Sequence, residues 1–135
     1  MGTKNVRTTC PYCGVGCNLY LTVTDEKITG VIPAKEGSTN DGALCIKGWH
    51  VYEFVQHVDR LKMPMIRREG KLQSTSWEDA LGHASDALIS LKKDYGPESI
   101  AFVGSARCTN EETYLFQKFA RAVFGHNHID HCARL

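Results

Sequence analysis

Cysteine supplies most of the chemistry that this 135-residue chain could do, and it has six of them. Four follow the spacing C-x2-C-x3-C-x27-C: Cys10, Cys13 and Cys17 within "CPYCGVGC", and Cys45 within "DGALCIKG". Thiols separated by so little chain are awkward partners for a disulfide framework and natural chelators. A reducing compartment and a bound metal are therefore expected. Four soft thiolates suit tetrahedral zinc or an iron–sulfur cluster. Zinc sites usually bring their ligands as two pairs across a longer loop, whereas here three thiols share one tight loop and the fourth arrives from afar. That asymmetry favours a 4Fe–4S cubane, with zinc as the alternative. Gly14 and Gly16 would let the loop turn and present backbone N–H groups to the cluster sulfides.

Other candidates are weaker. Lys47 follows Cys45 by two residues, and on spacing alone it is a solvated surface lysine. Cys108 and Cys132 pair with nothing by spacing and are expected to be small structural hydrophobes. The stretch "GSARCTNEE" is a small-residue loop between a strand and a helix, a shape that can offer N–H groups to an anion. It matches neither G-x-G-x-x-G nor a P-loop. His126, His128 and His131 could ligate a metal, but on a strand their spacing sends them to both faces, so ordinary histidines are expected. No Ser–His–Asp or paired-carboxylate arrangement is present.

These residues need elements to hold them. Leu19, Leu21 and Val23 alternate, a turn at Asp25–Lys27 follows, and Ile28–Ile32 completes a hairpin. "KEGSTNDGALC" reads as a loop carrying Cys45, and a short helix is expected over His50 to His57. With few side chains to fill a core, residues 1–60 need a staple. Residues 61–75 read as strand, turn at Glu69–Gly70, strand. Ser76 and Asp79 resemble a capping box, opening a helix with Trp77, Leu81, Ala84, Leu88, Leu91 and Tyr95 at helical spacing and a stop at Gly96–Pro97. "SIAFVGSA" is a compact strand. A second helix runs from Thr109 or Asn110 to Phe124, closed by Gly125, and "NHIDH" begins another strand. The expected class is α+β: a small β-rich cluster domain over 1–60, then the incomplete start of an α/β domain over 61–135, whose sheet is too short to be covered.

Composition narrows the classes. The chain is 42% hydrophobic and 23% charged, with 16 basic against 15 acidic residues. That is a globular balance with no field to hold a polyanion, so no nucleic-acid partner is expected. No stretch approaches a membrane span. The first residues lack an apolar leader, so a cytoplasmic location is expected.

"CPYCGVGC", "GALCIKG", "VQHVDRLKMPMIR", "SWEDAL", "GSARCTNEETYLFQKFARAVFG" and "DHCARL", in this order, resemble the start of a molybdenum- or tungsten-dependent formate dehydrogenase catalytic subunit. The likeness covers essentially the whole chain. It implies formate oxidation to carbon dioxide at a metal held by two molybdopterin guanine dinucleotides, with electrons leaving through a 4Fe–4S cluster. It implies that Cys10, Cys13, Cys17 and Cys45 hold the cluster, and that Lys47 lies between cluster and pterin, reversing the surface reading. It also implies that Ser105, Ala106 and Arg107 approach the pterin, and that an electron-acceptor subunit or carrier is the partner. In the family, a segment like "DHCARL" runs into the metal-ligating cysteine or selenocysteine. The catalytic ligand is thus expected immediately after Leu135, at a selenocysteine codon read as a stop, and the chain alone is expected to be inactive. Rival readings are a nitrate reductase or formylmethanofuran dehydrogenase of the wider family, or a small electron-transfer or zinc-stapled module.

Overall fold

The computed structural model of the chain describes residues 2–132; the expectation attached to Leu135 lies outside them. Strands and helices are mixed, and the class is α+β. The chain packs as two units that are not contiguous in sequence. The first comprises Met1–Arg60, Val103–Phe116 and His131–Leu135, and the second Leu61–Phe102 and Gln117–Asp130.

The first unit is built on a three-stranded antiparallel sheet, β1 (Thr3–Thr9), β2 (Asn18–Thr24) and β3 (Lys27–Pro33), in that order. The expected hairpin is β2–β3. Its turn places Asp25 and Glu26 at positive φ (48° and 64°), the geometry whose twist suits a two-residue hairpin loop. β1 escapes the sequence reading because "TKNVRTT" lacks apolar alternation. It is held by pairing from Thr3↔Thr24 to Thr9↔Asn18. Its connection to β2 is the cysteine loop itself, closed by the Cys10 N–H donating to the Cys17 carbonyl at 2.8 Å.

No single helix spans His50 to His57. One α-turn, α1 (Ile46–Trp49), is followed by a 3₁₀ turn at Glu53–Val55. Packing wins over local propensity here: Val51 is buried, and the Gln56 side chain both donates to the Ile28 carbonyl (2.9 Å) and accepts from its N–H (3.0 Å). The core is small, with Cys10, Leu19 and Val51 buried and Tyr12, Cys17, Leu21, Val31, Leu44 and Phe54 packed around them.

The second unit begins with the expected strand–turn–strand, β4 (Met65–Arg68) and β5 (Lys71–Ser74), joined by Glu69 and Gly70 at φ 49° and 79°. Helix α2 (Trp77–Tyr95) starts as expected, with the Asp79 N–H donating to Ser76 Oγ at 3.0 Å. The Asp79 carboxylate accepts from the Thr75 hydroxyl instead. Gly96, at φ 81°, ends the helix. No residue of α2 is buried.

β6 (Phe102–Ser105) pairs with β7 (Ile129–Cys132), a strand that starts later than "NHIDH" suggests. Between them run α3 (Asn110–Phe119) and a π-helical turn at Ala120–Phe124, capped by Gly125 in the left-handed region. The wide turn points Ala120 and Phe124 inward. Phe124 meets Phe102 at 5.2 Å and Phe119 at 5.5 Å between ring centroids, and His126 lies against the same rings.

Candidate metal centre

The cysteine loop is the tip of the β1–β2 hairpin, so the sheet fixes both its ends. Cys10 is buried, Cys13 and Cys17 half-buried and Cys45 exposed, and all four are free thiols. Gly16 takes a positive φ of 71°, as a tight loop demands. Gly14 is small for another reason. A Cβ there would stand 2.5 Å from Asn110 Oδ1, and the Asn110 amide donates to the Gly14 carbonyl at 2.8 Å. Asn110 is set at the start of α3 by a full capping box: the Glu112 N–H donates to Thr109 Oγ1, and Glu112 Oε2 accepts from the Thr109 N–H at 2.7 Å.

Cys45 comes from a loop pinned to the start of β2. The Asn18 N–H donates to Asn40 Oδ1 at 2.8 Å, while Asn40 Nδ2 donates to the carbonyls of Asn18 (3.2 Å) and Ala43 (2.8 Å). Gly37 packs beneath this clasp, where a Cβ would lie 2.9 Å from Asn18 Cβ. The sequence reading passed over Asn40, whose only sequence signal was its place in a turn-rich stretch.

The thiols differ electrostatically. Burial pushes the Cys17 thiol up, and the neighbouring Cys10, Cys13 and Cys45 add to the rise. The Cys45 thiol is pulled down chiefly by the Gly48 backbone N–H; desolvation opposes this, and the Lys47 N–H and ammonium charge add smaller downward contributions. Lys47, half-buried, thus sits within electrostatic reach of one of the four cysteines.

Cys17 lies within electrostatic reach of Cys10, Cys13 and Cys45. Among the described residues no group of three His, Cys, Asp or Glu side chains closes around a single ion. The fit of the site to an iron–sulfur cluster therefore rests on its donors: four free, soft thiols on two neighbouring loops and no hard ligand among them.

Ser105, Ala106 and Arg107 form the loop after β6, where Ser105 Oγ accepts from the Arg107 N–H at 3.0 Å. Ser105 and Ala106 line a cleft of about 250 Å³ together with Gly14, Asn110 and His131, while Arg107 is exposed. A neighbouring cleft of about 330 Å³ is lined by Ser105, Cys108 and Phe116. Cys132, expected to be an inert hydrophobe, is exposed, and its thiol is pulled down by the Ala106 N–H, then the Ser105 hydroxyl, with the Arg107 charge helping. Polar groups ready to meet a charged ligand fit a phosphate-bearing cofactor here.

The histidines do not gather around a metal. His126 is buried and stacks on His128 at 4.6 Å, its Nδ1 accepting from the His128 N–H and its Nε2 lacking a partner. His128 Nε2 meets Glu98 at 3.0 Å.

Comparison with known proteins places the chain. The molybdopterin oxidoreductase Fe4S4 domain matches residues 3–57, and the molybdopterin oxidoreductase domain matches residues 60–135. The chain belongs to the molybdopterin oxidoreductase family. Within it, the chain is 49% identical over 130 residues to the F420-dependent formate dehydrogenase 1 subunit alpha of Methanococcus maripaludis, covering 96% of this chain and 19% of that protein. It is 46% identical to the F420-dependent formate dehydrogenase subunit alpha of Methanocaldococcus jannaschii, covering 100% of this chain and 19% of that one. It is also 46% identical to formate dehydrogenase H of Escherichia coli, over 98% and 19% respectively. The chain thus spans about a fifth of the length of the curated relatives it matches.

Proposed function

We propose that this chain is part of a formate dehydrogenase catalytic subunit, divided into a cluster domain over residues 1–60 and part of a molybdopterin domain over residues 61–135. The observation that carries this reading is the likeness of essentially the whole chain to formate dehydrogenase alpha subunits at 46–49% identity. The reaction is formate oxidised to carbon dioxide, releasing one proton and two electrons. When bound, a molybdenum or tungsten bis-molybdopterin guanine dinucleotide supplies the two-electron acceptor.

The residues of this chain serve the exit of those electrons. Cys10, Cys13 and Cys17 hold three corners of a 4Fe–4S cluster from the hairpin tip, and Cys45 holds the fourth. Lys47 places a cation beside the cluster, favouring negative charge there and offering a hydrogen-bonded path toward the pterin. Ser105, Ala106 and Arg107 meet the polar edge of the cofactor. Support comes from the cleft that Ser105 and Ala106 line and from the Lys47 charge felt at Cys45.

A cluster held by these four cysteines would supply one-electron transfer, and an acceptor subunit or carrier would take up the electrons. Two of the relatives are named F420-dependent, which makes a deazaflavin-linked acceptor the first to try. Among the described residues no helix is long and apolar enough to cross a membrane. A cytoplasmic location goes with this reading, because closely spaced thiols that hold a metal belong in a reducing compartment.

Anaerobic reconstitution with iron and sulfide, then EPR of the dithionite-reduced protein, tests the centre. A 4Fe–4S signal with about four irons per chain is expected, and zinc alone would overturn the reading. Formate-dependent dye reduction by the complete subunit tests the reaction, and nitrate reduction without formate oxidation would move the chain to the rival enzyme.

A further inference from the structure

We infer that Asn40 is a positioning residue for the metal centre: it fixes the distance between the three-cysteine loop and Cys45. The inference rests on the cluster reading above. A cluster held by three thiols from one loop and one from another depends on whatever ties the two loops together, and the 27 residues between Cys17 and Cys45 would otherwise leave that distance free.

Asn40 is that tie. Its side chain makes two hydrogen bonds across to Asn18 and one to Ala43 in its own loop, so it ties the cysteine-proximal ends of both loops. Asn18, next to Cys17, gives its N–H to Oδ1 and takes a hydrogen from Nδ2, so both of its backbone polar groups are engaged by one amide. Ala43, two residues before Cys45, accepts the second Nδ2 hydrogen, and its own N–H donates to the Asn40 carbonyl at 2.7 Å. Only an amide offers one acceptor and two donors in this fixed plane.

The surroundings lock it in place. Asn40 is half-buried, and Gly37 leaves room for it, since a Cβ on Gly37 would lie 3.1 Å from Asn40 Oδ1. Immediately after Asn40, Asp41 and Gly42 both take positive φ (45° and 75°), turning the chain back toward Cys45. Cys45 itself is exposed, with little packing of its own to hold it. The clasp, not burial, sets where the fourth thiol stands.

Loss of the clasp should therefore release one corner of the cluster and leave the other three. A cubane that loses one ligand sheds the iron at that corner, giving a three-iron cluster that is EPR-active when oxidised. The experiment compares anaerobically purified wild type, Asn40→Ala, Asn40→Asp and Cys45→Ser, each mildly oxidised, by EPR and by iron and sulfide content. Asn40→Asp keeps the acceptor for the Asn18 N–H and removes both donors, so it serves where Asn40→Ala folds poorly.

Both Asn40 variants should raise the three-iron fraction by on the order of tenfold over wild type, toward the signature of Cys45→Ser. In the Cys45→Ser background Asn40→Ala should add nothing. A wild-type four-iron spectrum in Asn40→Asp overturns the inference, as does general loss of cluster that is equal with and without Cys45. Absence of any iron–sulfur signal from wild type instead overturns the cluster reading itself.

Discussion

In the first unit the buried apolar side chains include Cys10, Leu19 and Val51; in the second, Phe102, Phe124, Ala120 and Ile100 fill the interior. One core places a thiol among its most buried groups, and the other closes on three phenylalanine rings whose centroids lie within 5.8 Å of one another. Leu19 is the one large side chain among the described residues that is fully buried. A sheet with so little apolar filling must draw stability from elsewhere. Its loops converge on four thiols, so metal binding is folding free energy for this unit. The aromatic unit contains no cysteine and so no staple of this kind.

The sharpest way to break this comparison is to remove the metal. Chelation of the reconstituted protein should lower amide protection in β2 and β3 by on the order of a thousandfold or more, because ligation of this kind rivals the whole stability of a small domain. Protection at Phe102 and in the 120–124 turn should hold. Hydrogen exchange read by mass spectrometry checks both halves. Unchanged protection in β2 and β3 would mean that the small core suffices and that the contrast is false.

A smaller effect comes from the opposite side. Phe124→Ala opens the aromatic cluster and should cost about 3–5 kcal/mol. Exchange should rise at Phe102 and along the 120–124 turn, while iron content and the EPR signal stay as in wild type. Loss of iron in this variant would show the two units to be one cooperative block.

How much of this was legible in the sequence follows the range of the interactions. The β2–β3 hairpin, the β4–β5 turn and the Ser76 cap are written in neighbouring residues, and each forms. β1 was not legible, because "TKNVRTT" becomes a strand only through its partner. The His50–His57 helix failed for a similar reason, since Gln56 is drawn to Ile28 across 28 residues of chain. Asn40 and Asn110 look like ordinary turn and helix-start residues until their partners, Asn18 and Gly14, are seen. His126 was expected to be an ordinary histidine and is instead buried against Phe102 and Phe124 with its Nε2 lacking a hydrogen-bond partner. The four cysteines stand out in the sequence; the asparagines bonded to the loops that carry them do not.

The finest contrast lies inside the first unit and leaves its stability nearly untouched. Thiolate is the form that reacts with an alkylating agent. Cys45 is exposed and its thiol is lowered by the Gly48 N–H, the Lys47 N–H and the Lys47 charge, so it keeps a thiolate population as pH falls toward neutrality. Cys17 is half-buried and its thiol is raised by desolvation and by three neighbouring thiols, so its thiolate is lost from higher pH downward. In metal-free protein kept folded by a stabilising osmolyte, iodoacetamide should therefore modify Cys45 before Cys17, and the ratio of the two rates should widen as pH drops from 9 toward 7. The linkage runs the same way: a thiol raised in the folded state contributes stability below its unfolded pKa and loses it as pH rises through the folded one. Alkaline pH should thus loosen the Cys17 side of the loop first and narrow the ratio from above. Peptide mapping over a pH series reads both rates, and a ratio that is flat with pH, or Cys17 reacting first, would remove the electrostatic asymmetry between the hairpin tip and the remote thiol.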